Sequence, residues 1–319
     1  MPKEEPVIIT YRGYGNENIG FITGHLVKSS HIPSVKKSKN IFQNIRAAAK
    51  RYKVRPYVGK QVTLHYADHT YSAVTNKDGS FVIELVNHEL PEGWHQLVVS
   101  YEENGAIYTH KAQLLIPCHN QLGIISDIDD TILVSHATKV VKSTILVLLR
   151  NAFTRKTFEG VREFYQALRH GSTSVDRPFF YVSSSEWNLY DFLVDFFRIQ
   201  ELPKGVFLLK DVVLKWTDLL KGINSHHNHK LDKIRRIMDT YKDMHFVCIG
   251  DSGQHDAEIY YNAAKEYSGR VKAVYIRKVR SNTKRFYKYQ ELMKESGVEM
   301  ILFEDTKDAA AHARQNNLI

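Results

Sequence analysis

The chain has little cysteine and no long apolar run, and each shortage excludes a class of protein. Only Cys118 and Cys248 occur in 319 residues, which argues against a disulfide framework and predicts a reducing compartment. No stretch reaches the roughly 20 apolar residues of a transmembrane helix. Residues 1–6 also lack the apolar core of a signal peptide, so we expect a cytoplasmic protein.

Acidic residues are missing between Lys28 and Lys60, although ten basic residues lie there. Such a patch attracts polyanions, and contact with an anionic membrane surface is one interpretation. The other interpretation, slightly favoured, is a solvated loop and helix. Tyr52 and Tyr57 are too few to stack nucleic-acid bases, so we expect no dedicated nucleic-acid site.

Short strand patterns separated by turns fill residues 1–118. The stretch 61–66 alternates apolar and polar residues with period two, and the stretch 80–85 follows a turn at 75–79. Strands at this spacing are typical of a β-sandwich. We therefore predict a mainly β, sandwich-like N-terminal domain over 1–118, interrupted by a basic helical insertion at 40–53.

The pattern changes near residue 118, where apolar strands begin to alternate with helices. The predicted strands are 124–126, 179–183, 206–208, 245–250 and 273–276. The predicted helices are 158–170, 187–197, 230–241, 256–267, 282–296 and 305–318. This alternation favours an α/β domain over 119–319, with a parallel sheet and helices on both faces.

Three aspartates cluster at the end of the first strand of this second domain. An apolar run at 122–125 leads into Asp127, Asp129 and Asp130. Carboxylates this close repel one another unless a cation lies among them, and their oxygens suit a hard divalent metal. The alternative is a polar turn or a helix N-cap.

Three later stretches carry groups of complementary chemistry. Ser183 and Ser184 follow a strand, where hydroxyls can hold phosphate oxygens or instead cap a helix. Lys230 stands near a helix N-terminus, where its charge opposes the macrodipole; a phosphoryl group would offset it, and a solvated lysine is the alternative. Asp251 ends another apolar strand, and Asp256 follows it. Together with the first aspartates, these residues make a phosphoryl-transfer set.

Several motifs carry a resemblance to known families. Asp127 to Thr131, Ser183, Lys230, and Gly250-Asp251 with Asp256 resemble the four motifs of the haloacid dehalogenase superfamily. The stretches 157–161, 181–190 and 250–256 resemble the catalytic domain of the actin-patch phosphatidate phosphatase family, and 11–15 and 76–81 are similar to the β-domain of its bacterial-type members. The resemblance implies a Rossmann-like parallel sheet of the haloacid dehalogenase type.

The same resemblance implies roles for the acidic residues. Asp127 would be the nucleophile that forms an aspartyl-phosphate. Asp129 would protonate the leaving group and then deprotonate the attacking water. Mg²⁺ would be bound by Asp127, the Asp129 backbone carbonyl and Asp251.

Further residues would act on the substrate or on its neighbours, again as the resemblance implies. Thr131, Ser183, Ser184 and Lys230 would bind the phosphoryl group. Asp256 would orient Lys230 or a metal-bound water, with a helix cap as the alternative.

Residues 135–157 bear on the substrate, because basic side chains there flank an apolar stretch at 144–149. As an interfacial cover the segment would suit a lipid phosphate, and the alternative is a helix packed on the sheet. The sequence thus predicts a Mg²⁺-dependent phosphatase acting on phosphatidate or a similar lipid phosphate, in peripheral contact with an anionic membrane. The alternatives are a phosphatase for soluble phosphomonoesters and a non-catalytic module that docks on anionic membranes.

Overall fold

The computed structural model describes residues 5–29, 55–118, 122–129, 131–132, 158–171, 175–210, 228–279 and 283–319. The basic insertion predicted at 40–53, Asp130 and the segment 135–157 lie outside the described residues. The chain divides into two compact units. The first unit contains Met1–Cys118, Ser185–Phe192 and Leu209–Ile223, and the second contains His119–Ser184, Leu193–Leu208 and Asn224–Ile319. The boundary predicted at residue 118 stays a prediction, and the assignment of Ser185–Phe192 to the first unit was not expected.

Nine strands of the first unit form one hydrogen-bonded sheet. They are β1 (Glu5–Thr10), β2 (Gly13–Gly15), β3 (Ile19–Ser29), β4 (Arg55–Pro56), β5 (Gln61–Tyr66), β6 (His69–Val74), β7 (Ser80–Val86), β8 (Gly93–Glu103) and β9 (Ala106–Ile116). The order is β1-β3-β2-β9-β8-β5-β6, and β4 and β7 also pair with β3. The mainly β character of this region is confirmed, and the sandwich arrangement stays a prediction.

Alternating side chains give this unit its core. On β5, Val62 and Leu64 are buried while Gln61 and His65 are exposed, as period-two alternation requires. Buried apolar side chains from β1, β3 and β5 to β9 belong to one contiguous cluster, which is the core of this unit. Each fully buried leucine or isoleucine contributes roughly 1.5–3 kcal/mol to folding.

The second unit contains a six-stranded, all-parallel sheet. Its strands are β10 (Leu122–Ser126), β11 (Phe179–Glu186), β12 (Val206–Lys210), β13 (His245–Asp251), β14 (Val271–Arg277) and β15 (Glu299–Phe303). Its helices are α1 (Val161–His170), α2 (Tyr190–Ile199), α3 (Asn228–Thr240), α4 (Asp256–Glu266), α5 (Lys284–Glu295) and α6 (Thr306–Gln315). Strand β11 and helix α2 each extend into the first unit. No described helix is both long enough and apolar enough to span a membrane.

The strand order β12-β11-β10-β13-β14-β15 reverses direction at β10. The chain leaves β10 toward β11 and β12, then returns to the other side of β10 with β13. Because parallel crossovers are right-handed, the helices that connect strands before the reversal and those that connect strands after it lie on opposite faces, whereas α6 follows the last strand and connects no pair. In agreement, α1 packs on α6, while α4 packs on both α3 and α5. This is the predicted α/β arrangement, and a reversal of this kind opens a ligand crevice at the carboxyl ends of its two strands.

Candidate active site

Strand β10 places Asp127 at this crevice. Ile124 and Ile125 are fully buried, as a strand covered on both faces requires. The backbone N–H of Asp127 donates to the Ile249 carbonyl of β13 at 2.8 Å, so the pairing between the two strands continues past the end of β10. The Asp127 side chain is only 1% exposed, and a buried carboxylate needs partners.

Lys230 supplies the positive partner. It lies in the first turn of α3, and its Nζ is 2.8 Å from Asp127 Oδ1 and 2.7 Å from Asp256 Oδ1. The lysine is buried, so the solvated-lysine interpretation is wrong. Two carboxylates offset its unfavourable position at the helix N-terminus, where the sequence suggested a phosphoryl group.

The four residues Asp127, Lys230, Asp251 and Asp256 form what we call the carboxylate–lysine cluster. Burial raises the pKa of Asp127 well above its usual range; the Lys230 ammonium opposes this shift, and the carboxylates of Asp256, Asp129 and Asp251 add to it. Burial alone would lower the pKa of Lys230, but Asp127 and Asp256 outweigh it and raise the pKa. The ammonium therefore persists at neutral pH.

Asp251 and Asp256 are held by the loop between β13 and α4. Asp251 Oδ1 accepts hydrogen bonds from the backbone N–H groups of Gly253 at 2.5 Å and Gln254 at 2.9 Å. Asp256 Oδ2 accepts from the Asp251 backbone N–H at 3.1 Å, while its Oδ1 accepts from Lys230. Asp256 thus bridges Lys230 and the end of β13, and its role in orienting Lys230 or a metal-bound water stays a prediction.

Gly250 makes this bridge sterically feasible. A Cβ atom at residue 250 would lie 2.5 Å from Asp256 Oδ2 and 2.7 Å from Asp256 Cβ. Contacts this short are repulsive, so any larger residue at 250 would displace the carboxylate that holds Lys230.

Strand β11 delivers the serines to the same edge of the sheet. The Ser183 hydroxyl is buried and donates to Asp129 Oδ2 at 2.8 Å, while Ser184 is exposed. The strand continues to Glu186 before a single 3₁₀ turn, Trp187–Leu189, begins. The N-cap position of that turn is Glu186 and not a serine.

Thr131 lies under Arg277. The Thr131 hydroxyl is buried and has no hydrogen-bond partner among the described residues. Arg277 Nε donates to the Thr131 carbonyl at 3.2 Å, and a second guanidinium nitrogen donates to Thr306 Oγ1 at 3.0 Å. Burial lowers the pKa of Arg277 to about 10, so the guanidinium still carries its charge at neutral pH.

Three side chains in or beside this site were not anticipated. Gln254 Nε2 lies 3.5 Å from Asp127 Oδ2, and Lys230 Nζ lies 3.4 Å from Gln254 Oε1. Lys233 donates to the Ser183 carbonyl at 3.0 Å, and Arg277 is the third. Their signals were weak but present, because Lys233 follows Lys230 by one helical turn and Arg277 ends a parallel strand as Asp251 does.

Oxygens of Asp127, Asp251 and Asp256 lie within 4.8 Å of one another, and all three side chains are buried. Three carboxylates this close, two of which contact the Lys230 ammonium, suit a divalent cation with oxygen ligands. The fold and this donor set define an α/β protein with a candidate metal and anion site at the carboxyl edge of its parallel sheet.

Residues 122–278 match the family model of the catalytic domain of phosphatidate phosphatase APP1. This segment of the chain is therefore similar to that catalytic domain. The matched residues include every member of the carboxylate–lysine cluster.

Two related proteins extend the comparison. The chain is 32% identical over 160 residues to Phosphatidate phosphatase APP1 of Saccharomyces cerevisiae, covering 49% of this chain and 26% of that protein. It is 26% identical over 213 residues to an uncharacterised protein of Schizosaccharomyces pombe, covering 65% and 32%. The match thus spans only a quarter to a third of these relatives. Among solved structures, the PilB minor pilin of Streptococcus sanguinis gives a TM-score of 0.30 at 12% identity, over 82% of this chain and 88% of that one, from which nothing follows.

Proposed function

We propose that the protein is a Mg²⁺-dependent phosphatase of the haloacid dehalogenase type that acts on phosphatidate or a similar lipid phosphate through an aspartyl-phosphate. The observation that carries the proposal is the buried Asp127 carboxylate, 2.8 Å from Lys230, within the segment that matches a phosphatidate phosphatase catalytic domain. The similarity to this catalytic domain supports the reaction class, and the geometry of the site supports the residue roles proposed below.

Asp127 is the nucleophile in this proposal. Its carboxylate lies at the strand end where the sheet opens, and both its oxygens have side-chain neighbours rather than backbone amides. Attack on phosphorus forms a bond from one oxygen and breaks the bond to the leaving alkoxide. Lys230 stays beside the transferring group and stabilises its negative charge.

The donor set fits a magnesium ion. Asp127, Asp251 and the backbone carbonyl of Asp129 would hold it, and its charge would let one anion approach another. Both oxygens of Asp256 already accept hydrogen bonds, so we assign Asp256 to positioning and not to the metal.

Asp129 is the general acid and base, and Ser183 orients it. The hydrogen bond from Ser183 at 2.8 Å holds the Asp129 carboxyl group in place. In this proposal that group gives a proton to the leaving alkoxide and later takes one from water. The Thr131 hydroxyl, which has no partner among the described side chains and backbone groups, would bind a phosphoryl oxygen together with Ser183, Ser184 and Lys230.

The substrate assignment is tested by phosphate release. Phosphatidate, lysophosphatidate and a panel of soluble phosphomonoesters are offered with Mg²⁺ at equal concentrations. We expect turnover of the lipid phosphates in preference to the soluble esters. Activity on the soluble esters alone would contradict the lipid substrate but would still support a phosphatase.

Contact with an anionic membrane is supported by the start of α5, which follows the carboxyl end of β14. Lys284, Arg285, Tyr287 and Lys288 are exposed there, and Arg285 lies 3.1 Å from Nε2 of His255 in the β13–α4 loop. Basic side chains around an exposed tyrosine suit an anionic interface. A cytoplasmic, peripherally bound enzyme would in this way face its substrate.

Vesicle sedimentation tests this contact. Vesicles of phosphatidylcholine with and without anionic lipid are mixed with the protein and with K284Q/R285Q/K288Q. The matched control K242Q/K265Q/K272Q removes the same charge from exposed lysines near the amino ends of β13 and β14. We expect binding to anionic vesicles that only the first triple variant loses. Binding without phosphate release from any ester would instead favour the non-catalytic docking module.

A further inference from the structure

Arg277 ends β14 at the carboxyl edge of the parallel sheet, and the proposed mechanism gives it no role. Its side chain is buried, with 3% exposure. The guanidinium carbon lies 4.2 Å from the ring centroid of Phe158 and 4.7 Å from that of Phe303. Aromatic faces suit a flat guanidinium but are weak hydrogen-bond acceptors, so its N–H groups need acceptors elsewhere.

Those acceptors belong to three separate segments of the chain. Nε donates to the Thr131 carbonyl at 3.2 Å, in the loop that leaves β10. The other two nitrogens donate to the Glu304 carbonyl at 3.4 Å and to the Thr306 hydroxyl at 3.0 Å. The Thr306 hydroxyl in turn donates to the Glu159 carbonyl at 2.8 Å, just before α1. The guanidinium therefore ties the loop after Asp127 to the start of α6 and the approach to α1.

The Thr131 contact fixes one peptide plane at both ends. The Thr131 carbonyl accepts from Arg277, and the N–H of the same peptide unit, which belongs to Ile132, donates to the Ile128 carbonyl at 3.1 Å. Because a peptide unit is planar, these two bonds together set its orientation. The direction of the Thr131 side chain follows from that orientation.

The Thr131 hydroxyl is the group that this arrangement aims. Thr131 is 1% exposed, and its Oγ1 has no hydrogen-bond partner within the described ranges. Buried hydroxyls nearly always have a partner, so a buried hydroxyl without one indicates a place for a ligand oxygen. Asp127, four residues earlier, ends the same strand-to-loop junction.

The backbone of Arg277 holds the loop that carries Asp251. Arg277 is the register partner of Asp251 between β13 and β14. Its carbonyl accepts from the Ser252 N–H at 2.9 Å, and the Ser252 hydroxyl accepts from the Val279 N–H at 3.0 Å. A substitution of the Arg277 side chain keeps the carbonyl that makes this backbone bond, so it tests the side-chain contacts alone.

We propose that Arg277 is a positioning residue that fixes the Thr131 hydroxyl for a phosphoryl oxygen. The hydroxyl then meets the ligand without a further cost for ordering the loop. Lys230 acts differently, because it contacts Asp127 directly. The inference rests on the proposed phosphatase function for the identity of the ligand, and every contact that it uses lies within the second compact unit.

The test compares two arginines that donate to backbone carbonyls beside aromatic rings. Arg270, at the amino end of β14, donates to the Met244 carbonyl at 3.0 Å and to the Met238 carbonyl at 2.8 Å, with its guanidinium 5.6 Å from the Phe246 ring centroid. Arg277→Lys and Arg270→Lys each keep the charge but lose the planar fork. For each full-length variant, the Kd of inorganic phosphate is measured by calorimetry with Mg²⁺, beside thermal unfolding and KM and kcat for phosphatidate.

Both variants should unfold at a lower temperature, and only one should change ligand binding. We expect Arg277→Lys to raise the phosphate Kd and the KM about five-fold. Its kcat should change by less than about two-fold, because a group that binds substrate and transition state alike acts on KM. Arg270→Lys should leave Kd, KM and kcat unchanged. A rise of equal size in both variants, or in neither, would overturn the proposal.

A double-mutant cycle then separates positioning from general loosening of the fold. If Arg277 acts through the Thr131 hydroxyl, its effect on Kd falls below about two-fold in the Thr131→Val background. An equal effect in both backgrounds would contradict the positioning role. If Arg277→Lys does not fold, Thr306→Val, which removes one acceptor of the guanidinium, takes its place with an expected rise in Kd of about three-fold.

The two proposals fail in different ways. A wild-type chain that binds phosphate with this pattern but releases none from any ester keeps the positioning role and contradicts the phosphatase. A chain that hydrolyses phosphatidate with the same Kd and KM in wild type and Arg277→Lys contradicts the positioning role alone.

Discussion

The carboxylate–lysine cluster and the residues His25 and Tyr190 of the first unit are both buried, yet the first contains an ammonium ion and the second contains neutral rings. In the first, the Asp127 and Asp256 carboxylates share the Lys230 ammonium. In the second, burial lowers the pKa of His25 to about 4 against a weaker opposing effect of Asp78, and burial raises the pKa of Tyr190 to about 12.

The difference shows how burial and partners together decide charge. A desolvated ion persists only when an opposite charge or several hydrogen bonds compensate for the lost water. The lysine and the backbone amides give that compensation at the sheet edge, where reactive charge is needed. Trp187 and Tyr11, the aromatic neighbours of His25, do not, and a neutral ring is what a stacking contact needs.

Of the changes considered, removal of the Asp127 charge should have the largest effect on the carboxylate–lysine cluster. Asp127→Asn has the same shape but cannot attack phosphorus, so we expect turnover to fall by about 10³-fold or more. Phosphate release and thermal unfolding are measured together. Asp243→Asn, at an exposed site before β13, is the control and should keep full activity. Substantial turnover by the Asp127→Asn variant would contradict the assignment of Asp127 as the nucleophile.

Asp256→Asn should be the next largest change. An amide can keep one of the two hydrogen bonds but leaves Lys230 with a single carboxylate, so we expect about a 10²-fold loss of kcat. Unfolding should be easier by about 1–3 kcal/mol, because a buried ammonium loses a partner. Calorimetry or chemical denaturation measures this change. If the Asp256→Asn variant kept the wild-type kcat and stability, the contact between Asp256 and Lys230 would be unimportant for both.

Asp251→Asn should act mainly on the metal. Its Oδ1 is held by two backbone amides, so the loop geometry should survive while one ligand charge is lost. We expect the Mg²⁺ concentration for half-maximal activity to rise about ten-fold or more. A metal titration that overlays that of the wild type would exclude Asp251 as a ligand.

The pH dependence of stability should leave the catalytic residues untouched and report on His25 alone. The pKa of His25 is about 4 in the fold, against an ordinary value near 6.5. The unfolded chain therefore binds more protons between these values. Stability should be greatest above pH 6.5 and decline as the pH falls toward 4, by about 3 kcal/mol at most. His25→Phe should flatten this decline in chemical denaturation, whereas His69→Phe, at an exposed residue stacked on Tyr71, should not. A decline of equal size in both variants would contradict a neutral, buried His25.

Local patterns predicted most of the strands and helices of the second unit. The runs before Asp127 and Asp251 are apolar and rich in β-branched residues, so β10 and β13 were recognisable. Strand β15, at one edge of the sheet, was missed. Strand β6 was missed because Tyr71 is its one buried side chain, which leaves no alternation to read.

The candidate site was predictable where chemistry lies next to a strand end, and not where a long side chain reaches across. Asp127 and Asp251 could be recognised because each lies at the end of an apolar strand. Lys233 and Arg277 read as surface charges until the fold buries them. The hydrogen bond from Arg277 to the Thr131 carbonyl joins residues 146 positions apart, a separation at which no sequence period carries information.

The space beside Gly250 has a practical consequence for mutational screening. Since a single added carbon would collide with the carboxylate of Asp256, a saturation library at this codon should return glycine alone among active clones. Such a screen would identify as essential a residue that has no functional group. The cause would be steric, because only the hydrogen atom of glycine leaves space for the Asp256 carboxylate.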